Sequence, residues 1–470
     1  MSWWLPLWSD EATFDHFGGA LLPTLTMTAA IALTFFLRLP AREIHRRGAL
    51  IAPRRRWYHP RLTGVTAGRG QLSLGGIPIS SGDELKHFKL IGTTGTGKST
   101  AIRELLALAL QRGDRALITD PDGGYVARFA RRYRGDVILN PFEPDSVRWD
   151  LYGEVQQPYD LEQLATALVP SCADPAAQEW RGYARTFVTA VLRRAHAHGH
   201  RNPAQLWRLL ALASSEELRA IVLGTPAQPF LESENARMFA SIRSVAVSAM
   251  AALQYIQMQR AAPFSVRGWI RSGRGVLFIP YRAGQIAALR SIIAAWVRLA
   301  IFEAMNRPEE RDQRLWFVVD ELDALGAIDG LKDALARLRK FGGRCVLGFQ
   351  SIAQVSSTYG QGDAQTIVEN CANTLILRCS GSEQGGTSQF ASRLIGEREV
   401  TRRQTSRGRD REGLFPLRGT RRSMQVNEHQ VVEHAVLASE LEQLPDLSGY
   451  LKTASSRAWA RVGLRLPAGR

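Results

Sequence analysis

The sequence predicts an α/β protein. A mainly parallel β-sheet, covered by helices on both faces, is built around a phosphate-binding P-loop; an all-α domain is inserted into it and an N-terminal transmembrane helix precedes it. Three observations carry this. Residues 92–99 read GTTGTGKS and match the pattern G-x-x-x-x-G-K-[ST]. Continuous apolar runs of strand length, each followed by a helical pattern, recur before Pro158 and after Ala262. Between those positions no strand candidate appears, only apolar residues at three- and four-residue spacing.

In chain order, the anchor comes first. Gly18 to Leu37 carries no charge, and about 20 such residues span a hydrocarbon core. Trp3, Trp4 and Trp8 suit the interface on one side, and eight arginines lie between Arg38 and Arg61 against the single Glu43. The positive-inside rule puts everything after Arg38 in the cytoplasm. A cleaved signal peptide fits poorly, because Asp10, Glu11 and Asp15 stand where a basic region belongs. A buried core helix is the remaining alternative. Residues 1–62 are therefore read as membrane anchor and basic juxtamembrane segment. Residues 63–157 and 263–470 form the two parts of a nucleotide-binding domain, around an all-α insertion at 158–262.

The glycine-rich stretch Gly64 to Asp83 carries short β-like runs and leads to the strand FKLI, Phe88 to Ile91. The loop follows directly. Gly92, Thr93, Thr94, Gly95, Thr96 and Gly97 let the backbone curl around phosphate with N–H groups inward. Lys98 reaches the β- and γ-phosphates, and the Ser99 hydroxyl holds Mg²⁺. Thr100 continues the binding set on a helix whose N-terminus adds its positive dipole end. Further strands are expected in RALITDPDGG, DVILNPF, GVLFIPY, LWFVVDELD, CVLGFQ and NTLILRC.

A phosphate loop needs acid on a partner strand, and LWFVVDELD supplies Asp320 and Glu321. Asp320 would fix the Mg²⁺, through water or directly. Glu321 would polarise the attacking water as general base, which favours turnover over mere binding. Arg339, with Arg337 second, lies on a helix after this strand and reads either as an arginine finger reaching a neighbouring subunit or as a solvated helix charge. Gln350 ends the next strand on the same sheet edge as the loop, where it would sense the γ-phosphate.

Charge bounds the partners. The 470 residues carry a formal charge of +16, which points to nucleic acid, acidic lipid, or both. The stretch Thr401 to Arg422 has eight arginines against Asp410 and Glu412. It reads as a DNA contact, a lipid contact, or a flexible solvated loop. The four cysteines form no C-x-x-C pair, so neither a zinc site nor a disulfide framework is indicated. The histidines in RRAHAHGH read as an exposed helix end.

These residues together resemble the type IV secretion coupling proteins of the TraD/TraG/TrwB kind. The likeness is carried, in order, by GGIPI, KHFKLIGTTGTGKST, DPDGG, ILNPF, RWDLYGEV, the helical insertion, VVDELDALG, LRKFGGRCVLGFQSIAQV and ENCANTLILR. It implies a RecA-like core with ATP and Mg²⁺ between subunits of a homo-hexamer in the bacterial inner membrane. It also implies the all-α domain at the mouth of a central channel, Arg339 as the trans finger and Gln350 as the sensor. The implied activity is a DNA-stimulated, DNA-translocating ATPase of conjugation. Its partners would be DNA bound without sequence preference, a relaxase or relaxosome, and the secretion channel. Asp120 and Asp122 match a motif of the family whose chemistry stays open.

Relatives usually carry two membrane helices, and some a long acidic C-terminal tail. Here one span is convincing, and the chain stops at RVGLRLPAGR, so recruitment is expected to use another surface. Other readings are an FtsK/HerA-type DNA translocase, a protein-only secretion ATPase, and an adapter that binds ATP without hydrolysing it. Glu321 argues against the adapter.

Overall fold

The computed structural model describes residues 44–52, 70–199, 202–310, 313–382, 385–410 and 421–465, with backbone only for 404–410 and 421–424. The expected anchor Gly18–Leu37 lies outside the described residues. Among those described, no helix is long and apolar enough to cross a membrane.

The main sheet has ten strands. They are Leu50–Ile51 (β1), Phe88–Ile91 (β2), Arg115–Pro121 (β3), Val137–Ile138 (β4), Val276–Tyr281 (β5), Leu315–Val319 (β6), Gly343–Phe349 (β7), Asn373–Ile376 (β8), Ser448–Lys452 (β9) and Ala458–Gly463 (β10). Their order is β1-β10-β9-β8-β2-β7-β6-β3-β5-β4. From β8 to β4 every pairing is parallel. The additions β9 and β10 are antiparallel. Strand β7 therefore separates β2, which feeds the phosphate loop, from β6, which carries the acids.

The apolar runs are buried along their whole length because both faces are covered. Leu315, Phe317 and Val319 join one apolar cluster, and Trp316 and Val318 the other. In β5, Leu277 and Ile279 alternate with Val276 and Phe278 in the same way. On one face lie Ile102, Leu105 and Leu106 of the helix Lys98–Gln111, with the hairpin Leu72–Leu74/Ile77–Ile79. On the other lie Trp296 of Ile286–Met305 and the helices before it.

Between Trp149 and Pro263 the described residues hold helices and turns only. The longest is Pro175–Ala197, with Asp174 accepting from the Ala176 and Ala177 amides and Pro175 at the first helical position. The RWDLYGEV motif closes the base of this segment. Arg148–Trp149 pairs parallel with Pro263–Phe264. Buried Glu154 accepts from Trp149 Nε1 (2.8 Å), Val266 N (2.7 Å) and Arg267 N (2.9 Å). It thus ties the incoming and outgoing chain together and caps the helix Val266–Ser272.

A second compact unit holds Ile44–Gly48 and the strands Glu397–Asp410 and Arg421–His434. Here the flexible-loop reading of Thr401–Arg422 needs correction. Its described residues belong to a 14-residue antiparallel ribbon in unbroken register. Pairing partners, not apolar patterning, make these strands. Arg398 faces Glu433 and Arg403 faces Glu428, with ion pairs of 2.8 and 2.6 Å.

Candidate nucleotide site

Strand β2 ends at Ile91, and the chain turns through the glycine-rich loop into the helix that starts at Lys98. Gly97 has φ 116°, a left-handed conformation, and a Cβ there would come within 2.8 Å of Leu447 Cδ2. The loop is held from outside as well. Thr93 N donates to Arg378 O at 2.9 Å, just beyond β8, and Leu447 N donates to Thr96 O at 2.9 Å. Leu447 takes φ 59°, and Asp446 beside it is ion-paired with Arg378 at 2.7 Å. The antiparallel end of the sheet therefore braces the loop.

Within the loop, Thr96 Oγ1 donates to Thr93 O at 2.8 Å. Lys98 is buried and its Nζ donates to Gly92 O (2.6 Å) and Thr93 O (3.1 Å). Burial lowers its pKa, opposed by the charges of Asp320, Glu321 and Asp323. The ammonium has only carbonyl partners in hydrogen-bond range, which suits a group waiting for phosphate.

The acids stand opposite. Ser99 Oγ donates to Asp320 Oδ2 at 2.6 Å, and Tyr125 OH donates to the same oxygen at 2.8 Å. Asp320 Oδ1 is buried with no hydrogen-bond partner. Gly348 on β7 makes room for this strand end, because a Cβ there would lie 2.1 Å from Asp320 O. Gln350 closes the constellation. It accepts from Thr94 Oγ1 at 2.8 Å and donates to Glu321 Oε1 at 2.9 Å. Burial raises the Glu321 pKa, the Asp320 charge raises it further, and the Gln350 bond opposes both. A carboxylate with a raised pKa is a better proton acceptor.

Thr94, Lys98, Ser99, Asp320, Glu321 and Gln350 line a cleft of about 380 Å³ with Gly95, Gly97, Thr100, Asp446 and Leu447. Two protein oxygens suffice for magnesium, which otherwise takes substrate phosphates and water. The orphaned Asp320 oxygen beside the Ser99 hydroxyl fits that role. Among the described residues there is no cluster of three or more His, Cys, Asp or Glu side chains that would hold a metal unaided.

Not every expected residue joins. Arg339 follows the helix Leu331–Leu338 in a short turn before β7, exposed, at the edge where the parallel strands begin. The phosphate loop is at the edge where they end, about 20 Å of strand away. One chain does not bring the two together.

Sequence reasoning missed Tyr125. The DPDGG motif places it: Asp120 accepts from the Tyr125 and Val126 amides (3.0 and 2.7 Å) and so caps the helix Gly124–Phe129. Burial pushes the Asp120 pKa up to about 6, against those amide bonds. The motif's local signal was a turn, and the contact with Asp320 spans 195 positions.

A family model described as the type IV secretion-system coupling protein DNA-binding domain matches residues 71–465. The coupling protein TraD of Escherichia coli K12 is 32% identical over 391 residues, covering 81% of this chain and 52% of the relative. The chain thus spans about half the length of that curated relative. The solved structure of the bacterial conjugative coupling protein TrwBdeltaN70, unbound, superposes with TM-score 0.78 at 31% identity, covering 91% of this chain and 95% of the other. The plasmid coupling protein TrwB in complex with ADP and Mg²⁺ gives TM-score 0.78 at 30% identity, covering 91% and 95%. With a family model matching residues 71–465, this chain belongs to the type IV secretion-system coupling proteins.

Proposed function

We propose that the chain is a membrane-anchored ATPase that delivers DNA, with its relaxase, into a secretion channel during conjugation. The observation that carries the catalytic half is the Gln350 bridge. It ties the phosphate loop at Thr94 to the general base Glu321, on a cleft that also holds Lys98, Ser99 and Asp320. A residue bonded to both would transmit the state of the γ-phosphate to the base. Glu321 would take the proton as water attacks the γ-phosphorus and ADP leaves. Lys98 would bind the β- and γ-phosphates, and Ser99 and Asp320 would hold magnesium, which when bound neutralises charge on the phosphate oxygens.

Gly92, Thr93, Thr94, Gly95, Thr96 and Gly97 supply the backbone cradle, and Thr100 continues it on the helix. The core is RecA-like in the spacing of its loop and acid strands, with segments 63–157 and 263–470 closing around the all-α insertion 158–262. Arg339 would act on a neighbouring subunit's site in a homo-hexamer, which accounts for its place away from its own loop. Residues 1–62 would hold the ring in the inner membrane. Support for nucleotide use comes from TrwB, which has been solved with ADP and Mg²⁺ and with a non-hydrolysable ATP analogue.

The test is ATP turnover by the full chain in nanodiscs, with and without single-stranded and duplex DNA, across salt. Stimulation by DNA that fades with salt and is absent in Lys98→Ala is the expected result. Turnover indifferent to DNA at every salt concentration would sink the translocation reading.

A further inference from the structure

The nucleotide cleft has two ends, and the strand order sets them apart. Glu321 and Gln350 follow β6 and β7, on one side of the strand β2 that feeds the phosphate loop. Asp446 and Leu447 line the same cleft but precede β9, beyond β8 on the other side. The first end holds the groups that face the γ-phosphate under Proposed function. A nucleotide lying along the loop therefore directs its sugar and base to the second.

Asp446 is an odd neighbour for phosphates. Three acids line the cleft; Asp320 and Glu321 are used by magnesium and water, and Asp446 by neither. A carboxylate repels nearby phosphate, and here the repulsion is offset, because Asp446 Oδ1 is ion-paired with Arg378 at 2.7 Å. The side chain stays exposed, and among the described residues nothing donates a hydrogen bond to Oδ2. It is an acceptor without a donor. The turn that carries it is set before any ligand arrives. Leu447 takes φ 59°, which a leucine rarely adopts. Leu447 N donating to Thr96 O at 2.9 Å and Leu464 N donating to Leu447 O at 2.7 Å hold it there. Backbone strain held in this way clusters at ligand clamps.

We propose, on the nucleotide reading given under Proposed function, that Asp446 fixes the sugar of the bound nucleotide, its carboxylate accepting hydrogen bonds from the ribose hydroxyls. Of the sugar and the base, the sugar is the nearer to the phosphates. Asp446 is one residue, about 3.8 Å of backbone, from the Leu447 amide that meets the loop at Thr96, so it stands at the range of the sugar. Leu447 beside it is half-buried and apolar, a side chain that packs against a base without reading its edge. The site thus selects a ribonucleotide by its hydroxyls, because a nucleotide lacking them leaves the carboxylate unmet.

The experiment is a calorimetric titration of the full chain in nanodiscs, with magnesium, using ADP, GDP and a dideoxy-ADP that lacks both ribose hydroxyls. None of the three carries a γ-phosphate, so binding is read without turnover. The native chain should bind ADP about tenfold more tightly than dideoxy-ADP. In Asp446→Ala that ratio should fall to about one, through weaker ADP binding with dideoxy-ADP unchanged, and GDP should weaken by the same factor as ADP. The ratio is taken within each variant, so a smaller folded fraction leaves it unmoved. A native ratio near one, with ADP bound, overturns the sugar contact and leaves the nucleotide site standing. Equal weakening of ADP and dideoxy-ADP in Asp446→Ala overturns it too, and makes the residue a brace for the loop through Arg378. A loss confined to ADP and absent for GDP moves the carboxylate to the base and overturns it as well. A native chain that binds none of the three overturns the nucleotide site and the sugar contact together.

Discussion

The two edges of the central sheet both bury charge, and they treat it in opposite ways. Where the parallel strands begin, the network around Glu84 and Asp114 is filled. Arg112 makes two bonds to Glu84 (2.8 and 2.6 Å), Arg344 adds a third at 3.0 Å, and Trp316 Nε1 donates to Asp114 at 2.8 Å. No buried side-chain atom of Glu84, Arg112, Asp114 or Arg344 lacks a partner. Where the strands end, Asp320 Oδ1, Asp323 Oδ1 and the Tyr281 hydroxyl have none, and Lys98 rests on backbone carbonyls. A saturated network serves the fold. An unsaturated one, kept buried at a cost, is waiting for something the chain does not supply.

If that contrast is right, the largest effect on stability belongs to the first edge. Glu84→Ala leaves Arg344 buried without its acid and strips Arg112 of one of its two, Asp114 remaining, so unfolding free energy should fall by about 3–5 kcal/mol. Denaturant titration measures it, and turnover per folded molecule should hold. An intact stability would mean that the network is not saturated as described. At the other edge the order reverses. Glu321→Gln keeps the side-chain volume and removes the proposed base, so turnover should drop by about two to three orders of magnitude with ATP affinity and melting temperature retained.

A pH titration sharpens the first edge. His87 is buried there, accepting from Cys345 N at 3.0 Å through Nδ1 and donating through Nε2 to Leu335 O at 2.8 Å. Burial lowers its pKa to about 4; the Leu335 bond opposes this, and the charges of Arg339 and Arg344 add to it. The unfolded chain, with an ordinary histidine near 6.5, therefore binds more protons between those values. Stability should be full above pH 6.5 and fall toward pH 4 by about 3 kcal/mol from this group. His87→Gln should flatten that part of the curve.

The smallest effect tests Tyr125. Removing its hydroxyl in Tyr125→Phe deletes one bond to Asp320, about 1 kcal/mol. We expect less than a tenfold change in turnover, seen mainly as a shifted magnesium dependence. A loss as large as that of Glu321→Gln would make Tyr125 part of the chemistry.

How much of this could be read in advance follows from how local each signal is. The phosphate loop, the acidic strand and Gln350 were legible because each is a short run on a strand end, and parallel strands bring their ends to one edge. The sheet strands were legible because burial on both faces leaves unbroken apolar runs. Tyr125 and Glu154 were not. One is an aromatic after a turn, the other an acid in a motif of unassigned role, and the bonds that give each its place reach partners more than a hundred positions away. The ribbon was misread for a related reason. Its strands are polar on both faces, so alternation is missing, and cross-strand pairs such as Arg403–Glu428 replace it.

The most direct test of the contrast is a calorimetric titration of the full chain with ATP, with and without magnesium, repeated on Ser99→Ala and Asp320→Asn. The account predicts that magnesium strengthens ATP binding at least about tenfold in the native chain. It also predicts that both variants still bind ATP through the loop but lose the magnesium increment. An undiminished increment in both variants, or no ATP binding by the native chain, would contradict the claim that the open valences at this edge are a nucleotide–metal site.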